Sequence, residues 1–148
     1  MAKKSDWNKQ VLESIVKGTP KPKAPTRTKS VSGVLETHIQ QACIKWFMYQ
    51  YNLLWQDGVL FHIPNEGIRQ GVTGKRMKSE GIVRGVADLC LAVGRHGYHA
   101  LYVEMKLPGN YQSDFQKAWE KGVTKHGNLY AVIKSFEDFK TLIDWYLS

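Results

Sequence analysis

Apolar positions along the chain repeat with two different periods. Leu35, Ile39, Ala42, Cys43, Trp46 and Phe47 recur at the spacing of one helix face, which predicts a helix over 33–51. Glu36 and Gln40 lie four apart on one edge of that face. The run VLFHI (59–63) predicts a short strand ended by Pro64. VADLCLAV (86–93) and ALYVEMKL (100–107) are β-branched or aromatic runs joined by GRHGYH with its two glycines, and predict consecutive antiparallel strands. Ser113–His126 predicts a helix, LYAVI (129–133) a strand, and Ser135–Leu147 a last helix. Ser135 with Asp138 three residues on gives that helix its start signal. The order helix, three strands, helix, strand, helix predicts a mixed α/β domain around a central sheet. There is no internal repeat.

The amino-terminal part reads differently. Residues 17–30, KGTPKPKAPTRTKS, carry three prolines, four lysines and one arginine against a single alanine. Such a segment buries too little apolar surface to offset its ordering entropy, so residues 1–30 are expected to be a flexible basic arm and 31–148 the folded domain. Within the arm, Trp7, Val11, Leu12 and Ile15 have the spacing of a short helix over 5–17. At 148 residues and 43% hydrophobic content the chain suits one domain with a true core. The net charge of +8 favours a polyanionic partner. Eight Lys or Arg against Asp6 and Glu13 give the first 30 residues +6 of that charge, leaving +2 for the remainder. Cys43 and Cys90 lack CxxC spacing and are expected to be buried free thiols in a reducing compartment. No apolar run reaches the roughly 18 residues of a membrane helix, and Met1–Gln10 has no signal-peptide core. The expectation is a soluble protein of the cytoplasm, bacterial or phage-infected, with no membrane partner.

Candidate chemistry sits on the two adjacent strands, with Asp88 in one and Glu104 and Lys106 in the next. Residues two apart on a strand point to the same face, so Glu104 and Lys106 project together while Met105 points away. Three charges on a sheet face cost several kcal/mol, on the order expected for unpaired buried ions, unless they pair or bind an ion. With Asp88 opposite Glu104, a divalent cation would relieve the repulsion between the carboxylates, and hard oxygen ligands suit Mg²⁺ or Mn²⁺. The chemistry that follows is phosphodiester hydrolysis, in which a Lewis acid and an activated water meet growing negative charge. Asp88, Glu104 and the Met105 carbonyl would hold the metal, and Lys106 would orient water. Glu36 would complete the carboxylate shell or hold a second metal through water. The competing explanation is a buried Asp–Lys or Glu–Lys ion pair with no catalytic role.

GVADL (85–89) followed by LYVEMKLPGNYQSDFQKAW (101–119) resembles the virus-type replication–repair nuclease domain (VRR-NUC) of the PD-(D/E)XK superfamily. The resemblance runs from about Val34 to Ile133. Its marks are Glu36 with Gln40, the N-E-G of Asn65, Glu66 and Gly67, the turn into Asp88, V-E-x-K at 103–106, and S-x-x-Q at Ser113 and Gln116. Ala87 departs from it, since the family has proline there. The resemblance implies a restriction-endonuclease-like fold, with Glu36, Asp88 and Glu104 as acidic active-site residues. It also implies that Lys106 is the catalytic lysine and that Gln116 stands at the edge of the site. Stand-alone members are similar to phage and archaeal Holliday-junction resolvases, which implies a homodimer acting on branched DNA.

The 19 residues GIRQGVTGKRMKSEGIVRG between the first two strands are long for a connector. Arg69, Lys75, Arg76, Lys78 and Arg84 stand there against Glu80, which predicts a basic loop contacting the phosphates of duplex or branched DNA. The segment is not a P-loop, since Gly74–Lys75 is followed by Arg76, so no nucleotide cofactor is expected. The five histidines lack zinc-helix spacing, and His38 is expected at the surface. Trp46, Trp55, Trp119 and Trp145 are expected in packing, and Tyr111 and Gln112 near the cleft. Two further functions stay open. One is a non-catalytic DNA-binding or assembly protein on a nuclease-like scaffold. The other is a sequence-specific restriction-type nuclease, for which 118 folded residues leave little room.

Overall fold

The computed structural model describes residues 28–64 and 79–148. Its elements run α1 (Thr28–Gln50), α2 (Asn52–Gln56), β1 (Leu60–His62), β2 (Leu89–Leu91), β3 (Leu101–Met105), α3 (Asp114–Lys125), β4 (Leu129–Ile133) and α4 (Phe136–Leu147). The four strands form one mixed sheet in the order β1-β2-β3-β4. β1 pairs antiparallel with β2, β2 antiparallel with β3, and β3 parallel with β4 through α3.

The alternation of β3 divides its side chains between two layers. Leu101, Val103 and Met105 are buried in one core with Ile39, Cys43 and Phe47 of α1 and Phe139, Ile143 and Tyr146 of α4. Each large apolar side chain buried in that way contributes roughly 1.5–3 kcal/mol. Tyr102 and Glu104 face the other way, toward α3. No residue of α3 is fully buried; Trp119 sets its ring edge-on against Tyr102 at 4.9 Å and against Tyr130 at 5.9 Å. The α1/α4 layer therefore carries the larger share of apolar burial, and α3 is a lighter cover over the charged face.

Cys43 and Cys90 are buried free thiols, and burial pushes the Cys43 thiol up to about 12. Trp46 packs in the core against Phe136 and Phe139, whereas Trp145 is 47% exposed and stacks on His96. Elements differ from the sequence expectation at their ends. α1 begins at Thr28 rather than 33, because the polar residues before Leu35 show no apolar period although nothing in them stops a helix. β2 covers only the middle of 86–93, since the chain reaches the ladder through a turn at Gly85, φ +81°. α2, five residues long, is too short to show a period. Ser113 and Ser135 both cap the helices they precede.

Candidate active site

The site lies where β2 begins and β3 ends. Leu89 pairs with Val103, and one further step along that antiparallel register sets Asp88 beside Glu104. The Met105 amide donates to Asp88 Oδ2 over 2.7 Å, so the backbone of β3 fixes the carboxylate. Glu104 is 1% exposed. Its Oε1 pairs with Lys106 Nζ at 2.7 Å and accepts a hydrogen bond from Gln116 Nε2. Its Oε2 is buried with no partner among the described residues. Lys106 stands one residue past β3, its amide donating to the Ile133 carbonyl of β4.

Gln116 is oriented by the capping box of α3. Its Oε1 accepts from the Ser113 amide at 2.8 Å while its own amide donates to Ser113 Oγ at 3.3 Å. The side-chain nitrogen is left to face Glu104, and the cap thereby aims a donor at the carboxylate. Glu36 approaches from α1, where its Oε1 accepts from the Leu107 amide and from Asn110 Nδ2, both at 3.3 Å. Glu36, Asp88, Glu104, Lys106 and Gln116 are thus brought to one end of β3. The Met105 side chain lies in the core on the opposite face, as the alternation requires.

Burial raises Asp88, and the Met105 amide only partly opposes it. Burial and the neighbouring Asp88 lift Glu104 to about 7 against the pull of Lys106. Burial works against the Lys106 ammonium, but its hydrogen bond to Glu104 and the three carboxylates outweigh it and raise Lys106 on balance. Lys106 therefore stays charged at neutral pH. It is suited to stabilising negative charge rather than to accepting a proton.

Two carboxylates held this close, one with an unpartnered buried oxygen, form a hard-oxygen donor set. Among the described residues no three His, Cys, Asp or Glu side chains gather as a coordination group. The Asp88 and Glu104 carboxylates are the kind of donors a small divalent cation takes when water and substrate oxygens complete its shell. The pair does not suit a closed structural site.

Other contributors had no role assigned to them from the sequence. His62 Nδ1 lies 2.9 Å from the Asp88 carbonyl, which also accepts from the Ile63 amide at 2.9 Å. A carbonyl only accepts, so Nδ1 carries the ring hydrogen. The Gln40 side-chain amide lies 3.0 Å from the same nitrogen. With its hydrogen on Nδ1, His62 braces the backbone of Asp88, and the Gln40 nitrogen, itself a donor, is a neighbour of the ring rather than a second bond. Gly85 is the second: a Cβ there would collide with the Phe115 backbone and lie 2.7 Å from the Gln116 nitrogen. The turn into Asp88 therefore rests directly on the first turn of α3. His38 is half-buried rather than at the surface, with Nδ1 unpartnered among the described residues. Of the basic loop, Arg84 is exposed with its guanidinium 4.4 Å over the Phe115 ring, whereas Arg69, Lys75, Arg76, Lys78 and the N-E-G segment lie outside the described residues.

A four-stranded mixed sheet between helices, with carboxylates meeting at the end of an antiparallel pair, defines a mixed α/β fold. More particularly, a solved structure described as a VRR_NUC domain protein superposes on it with a TM-score of 0.62, covering 76% of this chain and 87% of that one. The two are 22% identical, a likeness that establishes the shared fold. No protein-family model and no curated protein matches the chain.

Proposed function

We propose that this chain is a metal-dependent endodeoxyribonuclease of the VRR-NUC kind, which hydrolyses phosphodiesters of branched DNA such as a Holliday junction in replication, recombination or repair. The observation that carries this is the buried Glu104 carboxylate, with one oxygen paired to Lys106 and Gln116 and the other unpartnered beside Asp88. Asp88, Glu104 and the Met105 carbonyl would hold Mg²⁺ or Mn²⁺, with Glu36 completing the shell through water. Bound there, the ion supplies Lewis acidity toward the phosphoryl oxygen and eases deprotonation of water. Lys106 orients the attacking water and offsets the charge that grows on the phosphoryl group. Gln116 holds the Glu104 carboxylate in place.

Arg69, Lys75, Arg76, Lys78 and Arg84 contact phosphates beside the cut, and the basic arm of residues 1–30 adds sequence-independent contacts. A homodimer would place two such sites on one junction. No described helix is long and apolar enough to cross a membrane, and the cytoplasm is the compartment in which this activity would operate. No nucleotide cofactor takes part.

The test is cleavage of a fluorescent four-way junction, with linear duplex and flap controls, in Mg²⁺, Mn²⁺ or EDTA, by the wild type and Glu104→Ala. Metal-dependent cutting of the junction, lost in the variant, is expected. Binding without cutting under any metal would instead make this a DNA-binding scaffold.

A further inference from the structure

Between Lys106 and α3 the chain makes a turn through Pro108 and Gly109, φ +88°, and then presents Tyr111 to solvent. At 82% exposed, Tyr111 is the most open large hydrophobic side chain among the described residues. Both of its neighbours are tied down. Asn110 donates from its amide to the Leu107 carbonyl at 2.9 Å and from its side chain to Glu36. Gln112 donates to Glu120 Oε2 at 2.7 Å and to the Tyr130 hydroxyl at 3.3 Å. The backbone that carries the ring is therefore held between two fixed points, which lowers the ordering cost of binding.

Lys134 stands beside it. β3 and β4 are parallel with Met105 opposite Ile133, so Lys106 and Lys134 each follow the carboxyl end of their strand. The Lys134 ammonium lies 5.5 Å from the Tyr111 ring centroid and pairs with no carboxylate among the described residues. The rim next to Glu104 and Lys106 thus offers one exposed aromatic ring and one exposed cation.

We propose that Tyr111 and Lys134 form a nucleotide subsite in which an unpaired base stacks on the tyrosine and its phosphate meets the lysine. A base inside a continuous duplex already has both faces stacked. Only DNA with a loose base, at a flap, gap or branch point, can offer one to Tyr111. The subsite would thereby set the substrate class of the nuclease proposed above, and it rests on that reading.

Binding separates the two. Fluorescence anisotropy of full-length Glu104→Gln protein without divalent metal would compare a duplex carrying three unpaired thymines with the same duplex fully paired. Tyr111→Ala is expected to weaken binding of the unpaired DNA by about 5- to 150-fold, the worth of one stacked base, and of the paired duplex by much less. Tyr111→Phe should restore the preference, because it keeps the ring. Lys134→Ala should weaken binding and lower the salt dependence by about one phosphate contact. Equal losses on both DNAs in Tyr111→Ala, or a Tyr111→Phe protein that behaves like the alanine variant, would overturn the subsite. Absence of cleavage by wild type would overturn the nuclease instead, and these binding outcomes would still be read.

Discussion

The backbone amide of Met105 donates to the Asp88 carboxylate over 2.7 Å, so the strand that carries Glu104 also fixes the acid beside it. Asp88→Asn can keep that bond through its amide oxygen while losing the charge. The folded state is expected to survive and cleavage to fall by at least about a hundredfold, the loss typical of removing one group that stabilises transition-state charge. Single-turnover cleavage with circular dichroism of the same sample checks both. Near-wild-type cutting by Asp88→Asn would remove Asp88 from the metal shell.

Glu104 makes a stability prediction with a sign opposite to its catalytic one. Its carboxyl rises from the ordinary 4.5 to about 7 on folding, chiefly through burial and Asp88. The folded state thus holds this proton more tightly than the unfolded one. Its contribution is fully present below about pH 4.5 and is lost as pH rises toward 7. Glu104→Gln escapes that loss, although the half-buried Lys106 gives back part of the gain by losing its partner. In EDTA at pH 8 the variant should be more stable by on the order of 1–2 kcal/mol, with the difference shrinking toward pH 5. Urea midpoints at both pH values measure it. A less stable variant at pH 8 would show that Lys106 and Gln116 fully compensate the buried charge.

The sequence made Asp88, Glu104 and Lys106 legible because charged residues inside β-branched runs break the pattern of buried strands. Gln116 was legible as part of S-x-x-Q, and its second duty as a cap follows from the same spacing. Element order survived for a similar reason, since LYAVI and the two serine-capped helices are strongly patterned. What stayed hidden depends on chain crossings rather than on local pattern. His62 meets Asp88 across two strands, 26 residues apart, and a lone histidine in a three-residue strand resembles any other surface residue. Gly85 was legible as the start of GVADL, but its close approach to Phe115 was not. The short α2 offered too few residues for a period.

Gly85 therefore carries a prediction of its own. Its φ of +81° and the Phe115 backbone in the path of a Cβ leave no room for a side chain. Gly85→Ala must push the turn and α3 apart, which should cost about 2 kcal/mol or more. Because that turn leads into Asp88 and that helix aims Gln116, kcat should fall further than the stability loss alone explains. Urea unfolding and cleavage at saturating DNA, well below the melting temperature, separate the two effects. An unchanged urea midpoint would mean the turn does not rest on α3.

His62 is expected to act on the metal through Asp88 without touching it. With Ile63 it fills both acceptor sites of the Asp88 carbonyl. Removing such a brace typically weakens metal affinity by about 10–100-fold. His62→Ala should therefore raise the Mg²⁺ concentration for half-maximal cleavage by that factor, with a smaller change in the rate at saturating metal. The ring is exposed, so the melting temperature in EDTA should move little. His62→Gln, which retains a side-chain donor, should recover part of the affinity. A Mg²⁺ requirement unchanged in His62→Ala, or a lower maximal rate at unchanged half-saturation, would mean that His62 does not govern the carboxylate's hold on the metal.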